Sequence, residues 1–271
     1  MAEGALKPFL KWAGGKRWLV SKSPDVFPPL DGNYIEPFAG SAAVFFFLRP
    51  PKAILSDMNA DLIDTYRALR ENWRPILAHL RRHHELHSRS YYYDVRGRIP
   101  NGRYARAARF IYLNRTCWNG LYRVNLHGEF NVPIGTKTTV LFPDDEFGEI
   151  SKALQYVDLC CSDFEPIIEK AKKDDFVYID PPYTINHTNN GFIKYNDVLF
   201  SWDDQQRLCE AAVRAVDRGA KVLISNACHH SIRTLYGDRF EVRSLDRASR
   251  ISGAVSGRRK GQEMLILGGY E

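Results

Sequence analysis

The residues whose types and spacing most directly suggest chemistry are Asp180-Pro181-Pro182-Tyr183. Asp180 and the Pro181 carbonyl are two neighbouring acceptors, and Tyr183 adds a flat aromatic face. A planar group with two N–H donors, such as the exocyclic amine of a nucleobase, satisfies both. Hydrogen bonds to its two protons would draw the nitrogen lone pair out of ring conjugation and make it nucleophilic. The same four residues also suit a strand end closed by an Asp-capped turn, and alone they do not decide between the two.

The element that must carry them is Phe176-Val-Tyr-Ile179. Four β-branched or aromatic residues without polar alternation predict a strand buried on both faces of a parallel sheet. The prolines donate no ladder hydrogen bond and stiffen the exit. In open α/β sheets ligands sit at that C-terminal edge. Residues 34–38 read as a first strand, followed by Ala39-Gly-Ser-Ala-Ala43 and an apolar helix, the first half of a dinucleotide-type βα unit. A second strand, residues 53–56, ends in Asp57. An acidic residue at this spacing from Gly40 holds ribose hydroxyls in Rossmann-like folds. Helix capping is its other use, although Asn59 or Asp61 can fill that role.

Further strands are expected at 156–160, leading to Asp163 and Phe164, and at 221–225. Ser201 is expected to cap a helix with the buried stripe Leu208, Ala212, Ala215 and Val216, stopping at Gly219. Residues 240–244 and 263–267 read as a closing antiparallel pair. Residues 186–196 are polar and make a candidate lid. Near the N-terminus, Lys11, Trp12 and Lys16 flank Gly14-Gly15. The spacing is not that of a Walker A loop, and the residues alone assign it no purpose.

A chain of 271 residues with 44% hydrophobic and 26% charged residues is long enough for a sizeable core and one or two domains. No stretch approaches the roughly 20 apolar residues of a membrane span. The first residues lack the apolar core of a secretory signal. Five cysteines without a Cys-x-x-Cys pair suggest neither a disulfide framework nor a zinc site. A cytoplasmic, membrane-free protein with no metal is therefore expected.

The net charge of +6 is uneven. Between Arg67 and Lys137, thirteen arginines and one lysine meet only Glu71, Glu85, Asp94 and Glu129. One basic segment on a mildly acidic body suits a polyanion-binding insert, although composition alone slightly favours a solvated basic face. Two helical stripes, Trp73-Ile76-Leu77-Leu80 and Tyr104-Ala107-Ala108-Ile111-Tyr112, flank an Arg- and Tyr-rich loop. Asn119-Gly120 and His127-Gly128 are turn signals, and a β-hairpin is expected around the second. Arg, Asn and aromatic tips there suit the reading of base edges and the filling of gaps in a base stack. Residues 246–262 form a Ser/Gly-rich loop with Arg250, Arg258 and Lys260, able to grip phosphates or simply to connect.

Together these segments resemble a Dam-like (D12, class α) DNA adenine-N6 methyltransferase along nearly the whole chain. Phe9-Leu-Lys-Trp-Ala-Gly-Gly-Lys16 is similar to the family's N-terminal motif. Glu36-Pro-Phe-Ala-Gly-Ser-Ala-Ala-Val44 is similar to its cofactor loop, Asp57-Met-Asn-Ala-Asp61 to its ribose-binding segment, and Asp180 to Tyr183 to its catalytic tetrapeptide. Asn114-Arg115, Asn119 to Asn125 and Gly128 to Pro133 are similar to its target-recognition hairpin. One departure is Ala42, where the family usually has a second glycine; a positive φ there would cost alanine about 1 kcal/mol or more.

The resemblance implies a Rossmann-like α/β fold, with residues 1–66 and 146–271 as the catalytic domain. Residues 67–145 would be an inserted, mainly helical target-recognition domain. It implies S-adenosylmethionine as donor, with Trp12 and Lys16 beside it, Phe38 and Gly40 under its methionine part, and Asp57 on the ribose. Asp163 would accept from the cofactor's adenine amine with Phe164 against that ring, and Asp180 would touch both cofactor and substrate amine. The partner is double-stranded DNA, with Arg115 and Asn125 among the contacts. In the GATC-reading branch, residues matching Lys11, Asn119, Leu121, Arg123 and Pro133 contact the site, and an aromatic at the Trp118 position wedges into the stack. Two other readings are a DNA-binding relative without catalysis and an enzyme acting on cytosine N4, RNA or a protein glutamine. Relatives of the latter kind more often carry Ser or Asn in place of Asp180. A cognate restriction endonuclease or none is equally compatible with the sequence.

Overall fold

The structure, a computed structural model, describes residues 5–125, 127–184, 200–247 and 261–270. In chain order the elements are α1 (Arg17–Lys22), β1 (Tyr34–Glu36), α2 (Ala43–Leu48), β2 (Ala53–Asp57), α3 (Ala60–Glu71), α4 (Trp73–Leu86), α5 (Arg89–Gly97), α6 (Arg103–Thr116) and α7 (Phe147–Ala153). They continue with β3 (Val157–Cys161), α8 (Phe164–Ile168), β4 (Phe176–Ile179), α9 (Trp202–Asp217), β5 (Lys221–Ala227), α10 (His230–Tyr236), β6 (Glu241–Arg247) and β7 (Gly261–Gly268). The architecture is mixed α/β with seven strands, mostly parallel. Two compact units divide the chain: Met1–Pro24 with Ala39–Cys161, and Asp25–Phe38 with Ser162–Glu271.

In the second unit the strand order is β1-β4-β5-β7-β6. All four residues of β4 are buried, as their unbroken apolar character requires. Its register on both sides is parallel, Ile35 against Val177 and Ile179 against Ile224. The expected antiparallel closure is present: β7 pairs with both β5 and β6. Helix α9 starts at a capping box in which Ser201 and Asp204 satisfy each other's backbone N–H. Its buried stripe includes Leu208, Ala212 and Ala215, and the chain leaves through Gly219 at φ +88°.

In the first unit β2 and β3 run parallel, Ala53 opposite Val157 through Asp57 opposite Cys161. Asn59 caps α3 by accepting from the Leu62 N–H at 3.1 Å, so Asp57 is not the cap. The two expected helical stripes lie on α4 and α6, where Ile76, Leu80, Ala107, Ala108, Ile111 and Tyr112 are buried. The segment between them, expected as a loop, is the helix α5. Ser88 caps it, and Tyr92 on its inner face donates to the Val132 carbonyl at 2.9 Å. Arg109 on α6 also donates to the Val95 and Arg96 carbonyls at 2.8 and 2.6 Å, so an otherwise polar, Arg-rich stretch is tied to its neighbours by a buried ring and by its own backbone.

Around His127-Gly128 the chain doubles back through isolated antiparallel bridges, Cys117 to Ile134 and Val124 to Phe130, rather than through a continuous ladder. The candidate lid at 186–196 and most of the 246–262 loop, including Arg250, Arg258 and Lys260, lie outside the described residues. Among the described residues no helix is long and apolar enough to cross a membrane.

Candidate functional site

In the second unit, Asp180 leaves the end of β4 half-buried, followed by the buried Pro181. The Ser225 hydroxyl on β5 donates to Asp180 Oδ1 at 3.0 Å, and Tyr178 lies 3.1 Å from the same hydroxyl. Tyr183 donates to Glu263 Oε2 on β7 at 3.0 Å. The next residue, Thr184, is buried and donates to the Phe200 carbonyl at 2.5 Å. Both ends of the tetrapeptide are thus tied to neighbouring elements, with a carboxylate at one end and a ring at the other.

The same unit holds Phe38, stacked on Phe164 with ring centroids 5.4 Å apart and planes 25° from parallel. Arg207 lies 4.5 Å over the Phe164 ring. Asp163 caps α8 through the Glu165 N–H at 3.0 Å and accepts from Arg207 at 2.9 Å. A carboxylate has about four acceptor positions, so both contacts leave Asp163 capacity for a further donor. An aromatic slab beside a carboxylate suits a planar amine-bearing ring.

In the first unit the turn after residue 38 is built by backbone constraint. Gly40 has φ +47°, and a Cβ there would fall 2.6 Å from the Trp12 ring. Glycine is therefore required twice, for conformation and for the approach of Trp12. The Gly40 N–H donates to Asp57 Oδ2 at 3.0 Å, and the Asn59 N–H donates to Oδ1 at 2.9 Å. Burial pushes the Asp57 carboxyl up, against the lowering effect of these two backbone donors. Each oxygen keeps a second lone pair, which suits a ribose diol. Tyr66 donates to the Gly40 carbonyl at 2.9 Å and fixes the turn from beneath. Ala42, the departure from the family pattern, has φ +49° and ψ +41° at the N-cap of α2. The left-handed conformation that favours glycine is present, and alanine carries its strain.

Trp12 stacks on Tyr122, centroids 6.0 Å apart and 18° from parallel. Lys16 is buried and donates to the Gly14 carbonyl at 2.7 Å. Both oxygen and nitrogen of the buried Asn114 amide bond the Lys11 backbone, at 2.9 and 2.7 Å, and the nitrogen also reaches the Gly120 carbonyl at 3.3 Å. Partial desolvation by its neighbours, then the charge of Lys137, lowers the pKa of the otherwise exposed Lys11 ammonium. Past this anchor, Asn119 turns at φ +55° and Trp118 is 51% exposed. The Trp118 N–H is held by the Pro133 carbonyl at 2.9 Å, and Arg123 donates to Asn131 at 2.8 Å. Lys11, Trp118, Asn119, Arg123 and Pro133 are all exposed, and Leu121 is half-buried.

One expected DNA contact is buried away from the surface. Arg115 is 1% exposed and spends all five N–H groups internally. It forms a bidentate pair with Asp145 at 2.6 and 2.7 Å, and donates to the Phe9 and Val140 carbonyls. It is a structural clamp, and its burial removes it from the DNA surface. Asn125 builds its own turn, accepting from His127 and Glu129 N–H at 2.9 and 3.0 Å and donating to Glu129 at 2.9 Å.

Sequence reasoning missed Ser225, Tyr178 and Glu263 as partners of the tetrapeptide, and Tyr122 as the surface under Trp12. A polar Ser225-Asn226 pair closing an apolar strand is the signal that was there to find. Among the described residues no group of three or more His, Cys, Asp or Glu could hold a metal ion.

A family model described as D12 class N6 adenine-specific DNA methyltransferase matches residues 12–251. The chain belongs to this family. A Type II methyltransferase, M1.LlaDCHI, from Lactococcus lactis subsp. cremoris is 36% identical over 98% of this chain and 96% of its own length. A DNA adenine methylase of Vibrio cholerae is 34% identical over 96% of this chain and 95% of its own. One from Haemophilus influenzae is 34% identical over 97% and 94%. The seven mostly parallel strands of the mixed α/β architecture agree with a methyltransferase of this family.

Proposed function

We propose that this protein transfers a methyl group from S-adenosylmethionine to N6 of adenine in duplex DNA, within 5′-GATC, on a base flipped out of the helix. What supports it most is the anchored pair at the end of β4: Asp180 held by Ser225, and Tyr183 held by Glu263. Asp180 and the Pro181 carbonyl accept the two N6 protons and aim the nitrogen, while Tyr183 stacks on the base. Extrusion costs a few kcal/mol, and stacking worth ~1–3 kcal/mol offsets part of that.

The bound cofactor supplies a methyl group on a positively charged sulfur, already activated for transfer. In the first unit, Asp57 presents unused lone pairs that suit a ribose diol. In the second unit taken by itself, Phe38, stacked on the buried Phe164 with Asp163 close by, suits a planar amine-bearing ring. Lys16 is assigned to the same binding role. With an activated donor, the protein's contribution is alignment and preorganised charge. We assign residues 1–66 and 146–271 to catalysis and 67–145 to target recognition. Lys11, Asn119, Leu121, Arg123 and Pro133 read the site, and Trp118 fills the gap in the stack. Arginine to a guanine edge is the commonest specific contact.

Asp180→Ala is expected to abolish methyl transfer while DNA binding persists; an active variant would refute the catalytic assignment. Treated plasmid is expected to change its cutting by methylation-sensitive enzymes at GATC, and unchanged cutting there removes the sequence assignment.

A further inference from the structure

The parallel register Ile179 to Ile224 brings the next residues, Asp180 and Ser225, side by side where β4 and β5 end and continue. Ser225 is fully buried in a strand whose preceding residues are Val222, Leu223 and Ile224. A buried hydroxyl there is costly unless its hydrogen bonds are made. Its O–H donates to Asp180 Oδ1 at 3.0 Å. Having given its single proton to a carboxylate, Ser225 can only accept from Tyr178, 3.1 Å away. Tyr178 is buried on β4, and burial, then the Asp180 charge, push its phenol well above the ordinary value, so it remains a donor. The direction is therefore fixed: Tyr178 to Ser225 to Asp180. Hydroxyls in series polarise and strengthen one another.

We propose that Ser225, oriented by Tyr178, is a positioning residue that sets the Asp180 carboxylate for capture of the substrate amine. The proposal rests on the catalytic role assigned to Asp180 above. Ser225 touches no reacting atom; it acts through the carboxylate it holds.

The test uses the full chain, a duplex carrying the target adenine, and S-adenosylmethionine as donor. Ser225→Ala is expected to lower kcat by about 10- to 100-fold, the scale on which misaligned groups cost rate, with KM for DNA and donor within about twofold. Ser225→Thr, which keeps the hydroxyl, is expected to recover most of the rate. Tyr178→Phe is expected to lose less than Ser225→Ala, because Ser225 still donates. Should Ser225→Ala fail to fold, Ser225→Cys, with similar volume and a weak donor, is expected to show the same loss in kcat. A purely structural hydroxyl would lower thermal stability without splitting kcat from KM. The proposal is overturned by a kcat within about twofold of wild type in folded Ser225→Ala, or by a Ser225→Thr no better than Ser225→Ala. Asp180→Ala run alongside separates the two levels. An inactive Asp180→Ala beside an unimpaired Ser225→Ala defeats only the positioning role. An active Asp180→Ala defeats the catalytic reading beneath it.

Discussion

The Tyr183 hydroxyl donates to the Glu263 carboxylate across 3.0 Å, and Glu263 is 3% exposed. Burial, then the charges of Asp180 and Glu263, raise the Tyr183 phenol well above its ordinary range, so it stays a donor at any working pH. Tyr183→Phe keeps the ring and removes the donor, and should lower the free energy of urea unfolding by roughly 1–3 kcal/mol while retaining most of kcat. Tyr183→Ala removes the ring as well and should lose a further ~1–3 kcal/mol of transition-state binding, read as kcat/KM. Equal kcat/KM in the two variants would take stacking out of the mechanism.

Arg115 and Asp145 make a buried bidentate pair. Arg115→Ala leaves the half-buried Asp145 carboxylate with only the Phe142 N–H, strands the Phe9 and Val140 carbonyls, and should cost about 3 kcal/mol or more in urea denaturation. Arg115→Lys cannot reproduce the planar fork and should also destabilise. If either variant is as stable as wild type and only binds DNA less well, Arg115 belongs on the DNA surface after all.

His83 on α4 stacks on Tyr112 at 4.7 Å and meets the Tyr91 hydroxyl through Nδ1 at 2.9 Å. Burial, then His79, Arg82 and Arg109, lower its pKa to about 4. The unfolded chain binds this proton near pH 6.5 and the folded chain only near 4, so between those values the unfolded state holds more protons. Stability should therefore fall as pH drops from about 6.5 to about 4, and the His83 contribution should be flat above that window. Urea midpoints measured across the window should show a steeper decline for wild type than for His83→Gln. Parallel curves would remove His83 as the cause.

Trp118 is 51% exposed. Trp118→Ala should leave stability within about 0.5 kcal/mol yet weaken binding to the target duplex. Arg123→Ala should cost about 1–3 kcal/mol of discrimination against a substituted guanine. Competition binding with altered sites separates this from loss of general affinity, which would instead be uniform across sequences.

Ala42 is fully buried and left-handed. Ala42→Gly relieves about 1–2 kcal/mol of strain, but gives back about 0.4–1 in unfolded-chain entropy and about 0.8 for the buried methyl. The expected change in unfolding free energy is therefore small, within about 1 kcal/mol of zero. Ala42→Val, β-branched in the same conformation, should be strongly destabilised. A well-tolerated valine would mean the turn adopts another backbone in solution.

Much of this was legible in the sequence because the strongest signals are local. Phe176 to Ile179 read as a doubly buried strand, and Ser201 as the cap of a helix wherever it packed. Helix α5 was not legible, since its polar face dominates its composition and the deciding residue, Tyr92, bonds to Val132, forty residues away. Arg115 was misplaced for a related reason. The motif it sits in implied a DNA contact, and nothing local shows Asp145 and the Phe9 carbonyl around it. Ser225 and Glu263 became partners of the tetrapeptide only through strand register, which no local pattern encodes.

Asn114 stitches the Lys11 peptide on both its N–H and its carbonyl and ties it to Gly120. Trp12, one residue on, leans over Gly40 and lies flat on Tyr122. A single amide thus yokes the turn assigned to reading bases to the indole assigned to the methyl donor, so neither end can shift without tugging the other. Any change that occupancy at one end makes in affinity at the other is, by linkage, returned by the same factor in the opposite direction.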